Sequence, residues 1–123
     1  EMTKLQQYSF VCAPSMAQYG ALAALAVDMT ATVEAYRRKR DMLYDGLREF
    51  YELPKPGGAF YAFVRAPGFR GAAFVARAIE HGRLIIPGSV FSERDTHFRI
   101  SYAASDETIA RGVAILHELA RAS

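Results

Sequence analysis

"THFRISYAASDE", residues 96–107 of this 123-residue chain, predicts a strand followed by a helix, and the other predicted elements are placed around it. In it, the apolar Phe98, Ile100 and Tyr102 alternate with polar residues, which is the period of a strand buried on one face. Arg99 stands in the middle, and an arginine is rarely buried without an anion to pair with. Two interpretations stay open on the residues alone. Arg99 lies on the solvent face of an edge strand, or it anchors a carboxylate through a two-pronged charged hydrogen bond.

The residues after this strand predict a helix. Ser105 is placed as its N-cap, and Asp106 and Glu107 occupy the first turn, where the helix dipole favours negative charge. Apolar residues then recur at helical spacing and mark a buried stripe at Ile109, Val113, Leu116 and Ala120.

Working outward, the remaining patterns predict five more elements of regular structure and a cap. Ser15, with Gln18 three residues later, forms a capping-box pattern before an apolar run. Gly82 is predicted as a left-handed helix cap. The predicted elements are helices at about 16–27, 32–51 and 72–81, and strands in "AFYAFV" (59–64), "RLIIPG" (83–88) and "HFRISYA" (97–103).

This order predicts an α+β fold. We expect a small mixed or antiparallel three-stranded sheet, covered on one face by helices and preceded by a long helix that acts as a connector.

Composition excludes several classes of function. The chain is 51% hydrophobic and 23% charged with a formal net charge of +2, which is typical of a soluble globular protein and too small a charge to imply nucleic acid or an anionic membrane. No apolar run is long enough to span a bilayer. Cys12 is the single cysteine, so no intrachain disulfide is possible, which fits a reducing cytoplasm. We expect it to be a small buried apolar residue rather than a nucleophile.

Other side chains that could support chemistry have plainer interpretations. The "RRKR" run at 37–40 points around most of a helix, so it predicts a solvated or domain-contacting helix whose arginines pair with carboxylates, as Arg37 with Asp41 and Arg38 with Asp45. "IIPGSVF" (85–91), with Ser89 and Phe91, predicts a turn that ends a strand. The histidines have no metal-ligand spacing and are predicted at the surface or at helix ends: His81, His97 and His117.

Five stretches, in this order and spacing, resemble the C-terminal part of fold-type I aminotransferases dependent on pyridoxal phosphate, especially the aspartate-aminotransferase class I/II group. The resemblance covers about Tyr8 to Leu119. The stretches are "SFVCAPSMAQYGALAAL" (9–25), "YRRKRDMLYDGL" (36–47), "PKPGGAFYAFV" (54–64), "LIIPGSVF" (84–91) and "FRISYAASDETIARGVAIL" (98–116).

The resemblance implies a parent enzyme that transfers an amino group between an amino acid and a 2-oxo acid, with pyridoxal 5'-phosphate as cofactor, as a cytoplasmic homodimer. In that family, the arginine of the strand pattern "R-[IL]-S-[YF]-A" binds the substrate α-carboxylate, and the matching residue is Arg99. The Schiff-base lysine is expected upstream, because Lys4, Lys39 and Lys55 do not occur in the family's Ser-Lys context. The chain alone, without a catalytic or cofactor-binding residue, is therefore expected to bind no cofactor and to be inactive.

The same resemblance divides the chain. Residues 1–30 are expected to be the tail of the large domain and a connector with a short helix, and residues 31–123 the small C-terminal domain. The opening "EMTKLQQYSFV" resembles the interior of a longer chain. Another fold-type I enzyme, such as a β-lyase or an acyltransferase, and a stand-alone α+β binding module without catalysis remain alternatives. The substrate side chain is not determined.

Overall fold

A computed structural model describes residues 1–68, 70–82 and 85–122, and the chain forms two compact units, Glu1–Ala31 and Thr32–Ser123. The helices are α1 (Met2–Ser9), α2 (Ser15–Ala24), α3 (Thr30–Leu47), α4 (Gly71–Glu80) and α5 (Asp106–Arg121), and the strands are β1 (Tyr61–Arg65), β2 (Ile86–Pro87) and β3 (His97–Ser101). A 3-10 helix, Gly88–Val90, directly follows β2. The predicted α+β class is confirmed.

The sheet is antiparallel, with strand order β1-β3-β2. Arg99 pairs with Phe63 on one side and with Ile86 on the other. β3 is therefore the central strand, and the interpretation that put Arg99 on an edge strand is wrong. Part of the strand predicted at 83–88 lies outside the described residues, at positions 83 and 84.

The core lies between one face of the sheet and the helices. Ala62, Val64 and Phe98 on the sheet are at most 1% exposed. Phe98 stacks on Phe74 of α4 with ring centroids 4.9 Å apart, and it meets Tyr51 edge-on at 6.0 Å. Offset and edge-to-face contacts of this kind add to the stabilisation from burial. Other large buried side chains come from α3, α4, α5, the segment before β2 and the residue after β3: Leu43, Leu47, Val75, Ile85, Tyr102, Ile109, Leu116 and Leu119.

Two helices of the second unit are capped by side chains. The Ser105 hydroxyl accepts the Thr108 N–H at 3.2 Å, which confirms the predicted cap of α5. α4 is capped from a distant loop, since the Asp95 carboxylate accepts the Ala72 N–H at 2.9 Å. Gly82 has a φ of 71°, so the predicted left-handed residue after α4 is also confirmed.

Helix α3 ends earlier than the sequence predicted. We expected it to run to residue 51, but α3 ends at Leu47, whose carbonyl accepts the N–H groups of both Phe50 and Tyr51. The Tyr51 hydroxyl then donates to the Leu116 carbonyl of α5. Burial raises the pKa of Tyr51 well above its usual range. The segment just after α3 thus places the Tyr51 side chain in the core.

The start of α2 also differs from the prediction. Ser15 is the first helical residue rather than the N-cap, and its side chain makes no capping bond. Gln18 donates instead to the Ala13 carbonyl at 2.7 Å. α2 ends at Ala24 rather than at Val27, because the N–H groups of Ala26 and Val27 bond to carbonyls only three residues back.

The first unit, Glu1–Ala31, contains α1, which the sequence did not predict, and α2. Every residue of it is exposed, so the prediction that Cys12 is buried is wrong. No helix in the described ranges is long and apolar enough to cross a membrane. The exposed large apolar side chains of this unit are Met2, Leu5, Tyr8, Phe10, Val11, Met16, Tyr19, Leu22, Leu25, Val27 and Met29.

Candidate functional site

Arg99 lies on the face of the sheet opposite to the core. Phe98 and Tyr102, which point the other way, are 0% and 1% exposed, and Ile100 packs against the core. Arg99 itself is half-buried, like its neighbour His97 on the same face. The predicted orientation of the strand is therefore confirmed.

Two aromatic rings lie against the guanidinium of Arg99. Its Cζ is 4.2 Å from the ring centroid of Tyr61 and 4.2 Å from that of Phe91. Tyr61 is on β1, two residues before the partner of Arg99, so it shares the same face of the sheet. Phe91 directly follows the 3-10 helix. Neither ring was predicted to contact Arg99, although the aromatic residues in "AFYAFV" were a usable signal for Tyr61.

The guanidinium of Arg99 keeps its hydrogen-bond donors available. Within the part of the chain that the structure describes, it forms no ion pair and no side-chain hydrogen bond. By contrast, Arg65 at the end of the neighbouring strand pairs with Glu52 at 2.7 Å. A guanidinium that lies over two rings and has no acidic partner among the described residues is suited to bind a carboxylate through two parallel hydrogen bonds.

A cavity of about 380 Å³ lies between α3 and the turn at residues 57–60 and is a weaker candidate. Arg40 lines it, but the charge of this arginine is balanced by Asp41 at 2.8 Å. Burial raises the pKa of Tyr102, and its hydroxyl donates to the Ala59 carbonyl at 2.9 Å. Both polar groups are thus already engaged within the protein.

The "RRKR" run does not form a flat basic face. Arg37 and Arg38 are exposed, whereas Lys39 and Arg40 are half-buried, as the helical spacing predicted. The predicted carboxylate partners were wrong, because nearer ones are available. The pairs that form are Arg37 with Glu34, Asp41 with Arg40 and with Lys55, and Asp45 with Arg48.

The three histidines have separate surroundings. His81 is exposed at the end of α4, as predicted. His97 is half-buried on β3 rather than at the surface or at a helix end; it contacts the Thr96 hydroxyl through Nδ1 and stacks on Phe63 at 5.0 Å. His117 is half-buried rather than at the surface, because its Nε2 bonds to a carbonyl of α3. The described residues contain no group of three or more side chains that could hold a metal ion.

Comparison with known proteins gives consistent relatives. Among curated proteins, the chain is 38% identical to the probable aspartate aminotransferase of Methanocaldococcus jannaschii, over 96% of this chain and 33% of that protein. It is 36% identical to the aspartate aminotransferase of Musicola paradisiaca, over 99% of this chain and 32% of that protein. The chain thus spans about a third of the length of the curated relatives it matches.

Solved structures show the same similarity in three dimensions. The aspartate aminotransferase of Thermotoga maritima superposes with a TM-score of 0.83 at 28% identity, over 94% of this chain and 31% of that one. A Methanococcus jannaschii protein, described as similar in its active site to kynurenine aminotransferases, gives a TM-score of 0.83 at 30% identity, over 95% of this chain and 33% of that one. Residues 2–116 match the family described as Aminotransferase class I and II. The chain therefore belongs to the aminotransferase class I and II family.

Proposed function

We propose that this chain is part of a pyridoxal-phosphate-dependent aminotransferase that transfers an amino group between an amino acid and a 2-oxo acid. The observation that supports this most is the half-buried guanidinium of Arg99, which lies against two rings and has no acidic partner among the described residues. In this proposal, residues 31–123 are the small domain, and residues 1–30 are a connector and the tail of the large domain.

Arg99 binds the α-carboxylate of the substrate. Two parallel N–H···O bonds from one planar group fix both the position and the orientation of a carboxylate. A substrate held in this way presents its α-carbon in one orientation, and such positioning lowers the barrier of the following step. The domain of residues 31–123 closes over the substrate and excludes water.

Pyridoxal phosphate, which the family implies, supplies the electron sink for this chemistry when it is bound in the full-length enzyme. The described residues do not fit that group. None of the three lysines lies on the sheet that bears Arg99. Lys4 is near Glu1 at 3.6 Å, Lys39 donates to the Ala104 carbonyl at 2.6 Å, and Lys55 pairs with Asp41 at 2.8 Å. That the chain alone is inactive stays a prediction.

The full-length protein is proposed to act as a homodimer in the cytoplasm. The exposed apolar side chains of the first unit support the association, because apolar surface exposed on a domain often marks contact with other protein surface. The large domain or a second subunit would cover it.

The decisive experiment measures kcat/KM for amino-acid substrates in the full-length protein. Arg99→Ala is expected to lower kcat/KM because about 2–5 kcal/mol of transition-state stabilisation is lost, which is the range for losing one partner of a charged pair. Arg99→Lys is expected to recover only part of this, since an ammonium lacks the planar fork. Arg65→Ala is the matched control: it removes an exposed arginine of the same sheet, and we expect little change.

Unchanged kcat/KM in Arg99→Ala would show that the carboxylate binds elsewhere. Product analysis separates the alternatives: a β-lyase releases a side-chain fragment, an acyltransferase forms a new carbon–carbon bond, and a binding module turns over no substrate.

A further inference from the structure

The rings of Tyr61 and Phe91 are held in place by the sheet and by the segment after β2. Tyr61 packs on Phe60 with ring centroids 4.3 Å apart. Phe91 is fixed by the 3-10 helix, where its N–H donates to the Gly88 carbonyl at 2.8 Å. The ring of Tyr61 and the backbone of Phe91 therefore have defined positions before any ligand binds.

Gly88 explains why the 3-10 helix lies so close to β3. A Cβ built on this glycine would be 2.7 Å from the His97 carbonyl oxygen, closer than real Cβ atoms come to backbone. The backbone of the 3-10 helix consequently packs directly on β3, two residues from Arg99. This contact brings Phe91 to the guanidinium.

We propose that Tyr61 and Phe91 are positioning residues whose ring faces hold the Arg99 guanidinium and so direct its N–H donors to one planar carboxylate. This inference rests on the proposed function. A free arginine side chain has many rotamers, and a guanidinium that is already held against two rings loses less freedom for each hydrogen bond it forms with a ligand. A Cζ 4.2 Å from each centroid is well within the range of cation–π attraction.

The test compares single variants of the full-length enzyme in steady-state kinetics and in the binding of a non-reacting monocarboxylate. Tyr61→Leu and Phe91→Leu are each expected to raise KM for the amino acid about 3- to 30-fold. They should weaken carboxylate binding by a similar factor, with kcat within about threefold, because the rings act on binding through Arg99. Tyr61→Phe and Phe91→Tyr keep an aromatic face and should stay within about threefold of the original KM.

Val90→Ala is the matched control, since Val90 is next to Phe91 in the chain, is 64% exposed, and has no aromatic ring to attract the guanidinium. Its KM should be unchanged. If the leucine variants bind carboxylate normally while Arg99→Ala does not, the positioning role is wrong and the proposed function stands. If Arg99→Ala also binds carboxylate normally, the carboxylate anchor itself is wrong, and the role of the rings is refuted with it.

Discussion

Two adjacent residues of β3 should respond oppositely to truncation. Phe98 points into the core and is 0% exposed, whereas Arg99 points to the other face and is half-buried. We predict that Phe98→Ala strongly destabilises the fold of this chain and that Arg99→Ala does so only slightly.

The magnitudes follow from the contacts. Removing a fully buried phenylalanine that touches Phe74 and Tyr51 costs about 3–5 kcal/mol of unfolding free energy, because ring contacts are lost and a cavity remains. Arg99→Ala loses two partly exposed cation–π contacts at about 0.5–1 kcal/mol each. The two variants should therefore differ by at least about 1 kcal/mol, and by as much as about 4 kcal/mol.

Urea unfolding followed by circular dichroism measures this difference. With slopes of about 1–3 kcal/mol/M, a difference of this size separates the two midpoints by a few tenths of a molar to several molar. Phe98→Leu is the second variant if Phe98→Ala does not fold. It removes three carbons of the ring, so we expect a loss of about 2 kcal/mol, from about 0.8 kcal/mol per buried carbon.

The reasoning is refuted if Arg99→Ala lowers the midpoint as much as Phe98→Ala does. Arg99 would then be a structural residue of the sheet, and its lack of an acidic partner would not indicate a ligand.

Three further predictions concern other parts of the chain. Asp95→Ala should lower the free energy of unfolding by about 1 kcal/mol in the same assay, because the Ala72 N–H loses its cap, while Asp95→Asn, which can still accept that bond, should change it little. The hydrogen bond from Lys55 and the nearby Arg40 lower the pKa of Asp41. The stabilisation from this carboxylate is therefore present above its unfolded pKa of about 4 and is lost as the pH falls through the lower folded value. Lys55→Met should move the pKa of Asp41 upward in an NMR titration, and an unchanged pKa would contradict the assignment. Residues 1–27 should self-associate or exchange their amide protons rapidly in this chain, since their apolar side chains are exposed; a monomer by light scattering with slow exchange in α2 would count against this.

Local patterns in the sequence determine much of this fold. The alternation around Phe98 identifies the strand and its buried face, because residues two apart in a strand share a face. Ser105 identifies the start of α5, because a cap acts within three residues of itself. Arg99 can be recognised in the sequence for a similar reason. The residues next to it show that the strand is buried on one face, and a charged side chain in such a strand is costly to bury unless it is paired.

Contacts between residues far apart in the chain could not be predicted from local patterns and are seen only in the tertiary structure. The capping of α4 by Asp95 joins residues 23 positions apart, and Tyr51 turns away from α3 toward a carbonyl 65 positions away. The central place of β3 depends on which strands pair with it, and no local pattern specifies that. The two rings against Arg99 come from β1 and from the segment after β2, so they meet the guanidinium only once all three strands are aligned in register.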